Sequence, residues 1–208
     1  MEYTFNIAQK TGTEWENSAE IYQRFAQNAK VLGLNQQELA RVTETVAKAT
    51  ALSGGSAEGA KAALQQFGQA LGSGVLRGEE FNSIMEQAPG LAMALAKGLN
   101  VPIGSLRDMA ANGELTARRV TQALQKAAQS VDADFGKTTE TVAQNFTKLQ
   151  NAFTKFVGEN NGGSANALAQ GIGLLAKNLD LVANTGAVLA VGYLTKAIAA
   201  GTIATTQR

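Results

Sequence analysis

The stretch "LNQQELARVTETVAKAT", residues 34–50, decides the fold of this chain. Asn35 stands three residues before Glu38, a variant capping box, and Leu39, Val42 and Val46 follow at the three- and four-residue steps of one helix face. The same grammar recurs on both sides. Upstream, Trp15, Ala19, Tyr22, Phe25, Ala26, Ala29 and Leu32 predict a helix over 14–32, ended by Gly33. Downstream, Ser56 caps a helix burying Ala60, Leu64, Phe67 and Leu71, with Gly72 and Gly74 as its stop. A short helix from Glu79 to Gln87 turns Phe81, Ile84 and Met85 inward, and the break around Pro89 starts "LAMALAKGLNVP", a further helix and its glycine end. Ser105–Ala111 reads as one or two turns closed by Asn112 and Gly113. Thr116 then caps a longer helix carrying Val120, Leu124, Ala127 and Val131, ended by Gly136. The expectation is an all-α, compact multi-helix domain over 1–136.

Composition agrees. With 45% apolar and 17% charged residues the chain can bury a core, and one Trp among 22 glycines suits close-packed helices better than a β-sandwich. Eighteen basic and 17 acidic residues leave a net charge of +1, so there is no direct nucleic-acid signal. The absence of histidine and cysteine excludes Ser-His-Asp, Cys-His and HExxH chemistry and the usual zinc sites. No catalytic residue, cofactor or metal is indicated. The start "MEYTFNIAQKTGTEWENS" is polar and acidic where a secretion signal needs a basic start and an apolar run.

Beyond 136 the pattern changes. In 137–157, Val142, Phe146, Leu149, Phe153 and Phe156 step by four, three, four and three, a 3.5-residue period that reads either as core for the domain or as a seam for a partner helix or a second copy. Self-association through this amphipathic helix is one expectation. "GENNGGSAN" (158–166) reads as a linker, and 167–208 as an apolar, Ala/Gly-rich helical tail. Its stretch 182–204 carries one charge, Lys196, and approaches bilayer-spanning length, although Asn184, Thr185 and Lys196 oppose burial in lipid. The alternative reading is a membrane-active or pore-forming helical protein using this stretch.

The densest polar stretch is "SGVLRGEEFNSIMEQAP", residues 73–89. Glu79, Glu80 and Glu86 are the one carboxylate cluster worth testing as an acid-base pair. On a helix, however, Glu79 and Glu80 point about 100° apart, and early glutamates favour the positive end of the helix dipole. Surface and capping roles outweigh catalysis. Arg77 beside Glu79 and Glu80, with Asn82 one turn on, reads as a polar cluster that fixes a loop. "GGSAEGAK" (54–61) resembles a phosphate-binding loop, but Ala60 intervenes before Lys61 and no strand precedes it; Gly72, Gly74 and Gly78 miss the dinucleotide spacing.

Residues 34–124 as a whole, "LNQQELARVTETVAKATALSGGSAEGAKAALQQFGQALGSGVLRGEEFNSIMEQAPGLAMALAKGLNVPIGSLRDMAANGELTARRVTQAL", resemble the N-terminal domain of tape measure proteins of long-tailed bacteriophages and prophages. The likeness runs from about Phe5 to Gly158 and centres on Gly74, Leu76, Arg77, Gly78, Glu79, Glu80, Phe81, Asn82, Glu86 and Pro89. Asn100 replaces the glycine expected in "GLGV", at a helix terminus that asparagine tolerates. The resemblance implies a structural virion protein without catalysis, acting in tail length determination, tail tube assembly and later DNA ejection. It implies the tail tube protein, tail assembly chaperones and tail tip proteins as partners. The implied location is the phage tail lumen, with host cytoplasm during assembly. A ruler needs length, and even a fully helical chain of 208 residues would span only roughly 310 Å. The expectation is therefore an N-terminal fragment of a longer native region.

Overall fold

The computed structural model describes residues 2–159, which form ten helices in chain order. They are α1 (Glu2–Thr11), α2 (Trp15–Gln27), α3 (Ala29–Leu32), α4 (Gln36–Ala51), α5 (Ala57–Ser73), α6 (Gly78–Gln87), α7 (Pro89–Leu99), α8 (Ser105–Ala111), α9 (Ala117–Phe135) and α10 (Val142–Glu159). Among the described residues the nearest thing to a sheet is one isolated antiparallel bridge, Val75 to Thr116. The fold is all-α.

Local chemistry sets most of the boundaries. Asn35 and Glu38 close a reciprocal capping box at the start of α4, with Glu38 N donating to the Asn35 side chain at 3.0 Å and Asn35 N to the Glu38 carboxylate at 2.8 Å. Ser56 accepts from Gly59 N and Thr116 from Arg119 N, capping α5 and α9. Pro89 occupies the first turn of α7, where its missing N–H costs nothing. At the other end of α7, Asn100 adopts the left-handed conformation at φ 56°.

The core is built around α4, α7 and α9. Phe25, Phe67, Phe81, Leu91, Leu95 and Leu124 are among its fully buried side chains, and Phe25 meets Phe67 edge-on at 6.3 Å between ring centroids. Helix α7 reaches its neighbours through small residues. A Cβ at Gly90 would overlap the Ala49 carbonyl oxygen of α4, and one at Gly98 that of Ala123 in α9.

Two expectations change, and one helix has no counterpart among them. Residues 2–11 form α1, although they carry neither a recognisable cap nor a long apolar stripe; packing against α2 and α4 stabilises what a ten-residue helix lacks by itself. The single helix expected over 14–32 is two, α2 and α3. The Asn28 side chain donates to the Arg24 carbonyl and its backbone N–H turns to Phe25, so the helical ladder stops there. Phe25 of the expected stripe is buried and Tyr22 packs half-buried on the core, but the buried line of α2 also takes in Asn17, Ser18 and Ile21, and Ala26 is exposed. Finally, Gly72 lies inside α5, and the stop is Gly74 alone, in the left-handed conformation at φ 88°.

The chain divides after Glu140. Helix α10, described by itself, starts from a second reciprocal box, in which Gln144 N donates to the Thr141 hydroxyl at 3.1 Å and Thr141 N to the Gln144 side chain at 2.8 Å. Of the expected seam, Leu149 is half-buried, and the side chains of Val142, Phe146, Phe153 and Phe156 lie outside the described ones. The linker from Asn160 onward, the apolar tail and the 182–204 stretch also lie outside the described residues.

Candidate functional site

The stretch 73–89 is a connection whose shape is fixed by its own backbone. Gly74 reverses the chain at the end of α5, and its carbonyl accepts the Ala117 N–H at 2.7 Å. Two residues on, Leu76 N donates to the Leu115 carbonyl at 2.8 Å. These two bonds flank the Val75–Thr116 bridge and staple "SGVL" to "ELTA" across some forty residues of chain. Leu76 and Leu115 drop into the core on either side of the staple. Thr116 therefore works twice, pairing with Val75 through its backbone and capping α9 with its hydroxyl. Sequence reasoning missed this pairing, because two bonded residues far apart in the chain leave no periodic signal.

From the staple, Arg77 leads into α6, where Phe81 and Ile84 are fully buried and Met85 packs half-buried on the core. The break at Ala88 hands the chain to Pro89, and Gly90 N donates to the Ser53 hydroxyl at 3.0 Å. Gly78 opens α6 with no atom within 4 Å of where a Cβ would stand.

The polar side chains of this stretch do not make the expected loop-fixing cluster. Arg77, Glu79, Asn82 and Glu86 are exposed, and among the described residues none of them forms an ion pair with another. Glu80 is half-buried, with Oε2 covered and without a hydrogen-bond partner. Backbone bonds and buried apolar side chains hold the connection in place of charge pairing. "GGSAEGAK" likewise follows helix α4 and carries the Ser56 cap of α5.

Charge is concentrated elsewhere, at a crossing that the sequence did not single out. Lys48 of α4 is 4% exposed, and its Nζ sits 2.5 Å from Glu44 Oε1 and 2.6 Å from Asp132 Oδ1 of α9, beneath the Phe135 ring. Arg41 pairs with the other oxygen of Asp132, and Lys10 of α1 reaches Glu44 at 2.6 Å. Burial alone would raise Glu44, but the hydrogen bonds from Lys10 and Lys48 hold it below the usual carboxylate range. Burial likewise works against the ionised Asp132, and Arg41 and Lys48 overcome it, so this carboxyl is also lowered. For Lys48 burial favours the neutral amine, yet its bonds to Asp132 and Glu44 prevail and raise it. Hydrogen bonding to Asp132 raises Arg41. This is a structural clamp: every group is held in its charged form and bonded to a partner. The Glu44–Lys48 spacing of four residues was the readable half of it; Asp132 lies far along the chain.

Two open grooves mark the surface. One, of about 550 Å³, is lined by Met93, Lys97, Asn100 and Pro102 among others at the end of α7, and one of about 350 Å³ runs between α1 and α4. Neither is lined by Glu79, Glu80 or Glu86. Among the described residues there is no group of three or more acidic side chains placed to hold a metal, and no helix is long and apolar enough to cross a membrane.

Comparison with known proteins gives one result. A sequence model described as tape measure protein matches residues 1–162, which takes in all ten helices and the stapled connection. No curated protein and no solved structure matches the chain.

Proposed function

This chain belongs to the tape measure protein family, and we propose that residues 2–140 are the folded head of a tail ruler, a part that anchors rather than measures. Membership gives the chain a phage tail tape measure function in a family that is structural rather than catalytic. The observation behind the head role is the bundle itself. A helical ruler converts chain into distance at about 1.5 Å per residue, whereas nine helices folded back on one another, eight of them sharing one core, add almost no length per residue. Removing part of such a bundle exposes its core instead of shortening a rod.

In this reading the head takes part in tail length determination, tail tube assembly and DNA ejection by docking tail components. Its partners are the tail tube protein, tail assembly chaperones and tail tip proteins, met first in host cytoplasm and then in the tail lumen. Self-association through the Val142–Phe156 stripe belongs to the same proposal. The test is a pair of in-frame deletions in the phage, with tails measured by electron microscopy. Deleting α5 and α6 is expected to abolish tails or make them irregular, whereas deletions beyond residue 166 are expected to shorten them by about 1.5 Å per residue removed. Tails that shorten in proportion to a deletion inside 2–140 would overturn the head role.

A further inference from the structure

The α1 helix is attached differently from the rest of the bundle. Ile7 and Ala8 are buried, but they lie outside the contiguous core that α2 to α9 share. Its main neighbours are α2 and α4, and the attachment rests on identifiable ties. Trp15 of α2 donates its indole N–H to the Thr4 hydroxyl at 3.0 Å and meets Phe5 edge-on at 5.3 Å. Lys10 meets Glu44 at 2.6 Å. Between α1 and α4 an open groove of about 350 Å³ remains, with Tyr3, Asn6, Ile7 and Lys10 on its α1 side. The side chains that α1 buries are Thr4, Ile7, Ala8 and Thr11, so Ile7 is the one large aliphatic side chain of its own among them that lifting uncovers. Gly12, at φ 66°, supplies a hinge directly behind the helix.

We propose that α1 is a strap that opens about Gly12 as a unit while α2 to α9 stay folded, with the Glu44 carboxylate as the catch that acid releases. The groups facing Glu44 are Lys10 from α1, Lys48 and Arg41 on its own helix and, bonded to the same Lys48, Asp132 from α9. Protonating Glu44 removes the tie to Lys10 and leaves Lys48 its bond to Asp132, so loss of this one carboxylate loosens the strap without opening the α4–α9 crossing. Once lifted, a ten-residue helix melts, since it is too short to persist alone.

Hydrogen exchange read by mass spectrometry on the full chain tests this, with the single Trp15 as a second probe. At neutral pH, amides of α1 are expected to exchange well ahead of those in α4, α7 and α9. Lys10→Met, which cuts the tie at an exposed residue, is expected to speed α1 exchange about three- to fivefold and leave the other helices unchanged. On acidification, Trp15 emission is expected to move toward that of a water-exposed indole before the far-ultraviolet helix signal falls. Equal exchange of α1 and α4, no effect of Lys10→Met, or coincident fluorescence and helix transitions would each overturn the strap.

Discussion

Gly98 and Gly78 show how two glycines in one bundle do different work. At Gly98 an added Cβ would run into the backbone of Ala123, which cannot move without shifting α9. Gly98→Ala is therefore expected to lower stability by about 2–3 kcal/mol in urea denaturation, although alanine is the better helix former by about 1 kcal/mol. Gly78 faces open space with an ordinary backbone, and Gly78→Ala is expected to stay within about 0.5 kcal/mol of the parent or rise above it. Lys48 makes a matching contrast. Lys48→Met replaces a buried ammonium with an apolar chain of similar length but takes one partner from each of Glu44 and Asp132, which keep Lys10 and Arg41, and is expected to cost about 1 kcal/mol. Removing both its partners by Glu44→Gln with Asp132→Asn strands the buried charge and is expected to cost about 3 kcal/mol.

At the scale of elements, helix ends follow short-range chemistry and helix faces do not. The Asn35 box fixes the start of α4, so Asn35→Ala is expected to cost about 1 kcal/mol, measured by the same denaturation. Of the stripe expected over 14–32, Phe25 and Leu32 are buried and Tyr22 and Ala29 pack half-buried on the core, while Ala26 is exposed and the helix breaks at Asn28. For α10 the sequence pattern still sets the expectation. If the 3.5-residue stripe seats a second copy, Phe153→Asp lowers the mass found by light scattering, and an unchanged monomer refutes the seam.

For the whole molecule, the clamp at Lys48 makes stability depend on pH at both ends. Glu44 and Asp132 are lowered in the folded state, so their contribution is complete above the ordinary carboxylate range and is lost as pH falls through the folded values. Lys48 is raised, so its contribution is complete below its ordinary range and is lost as pH rises through the folded value. Unfolding free energy is expected to be flat around neutrality and to fall below the ordinary glutamate value of 4.5. Lys48→Met should flatten the acid limb, because Glu44 and Asp132 each lose one stabilising partner. An acid limb as steep as the parent's would show that other carboxylates set it.

What the sequence determined by itself is the all-α class, most helix ends and the family resemblance, because caps, glycine stops and 3.6-residue stripes act within a few residues of chain. The ten-residue α1, the staple between Val75 and Thr116, the close passes at Gly90 and Gly98 and the Lys48–Asp132 clamp were decided by tertiary structure. Each depends on a partner brought near only when the helices pack, and spacing along the chain carries no record of it. The polar stretch at 73–89 shows both halves: its helix start and stop were legible in its own residues, while the staple that holds it belongs equally to residues 114–117.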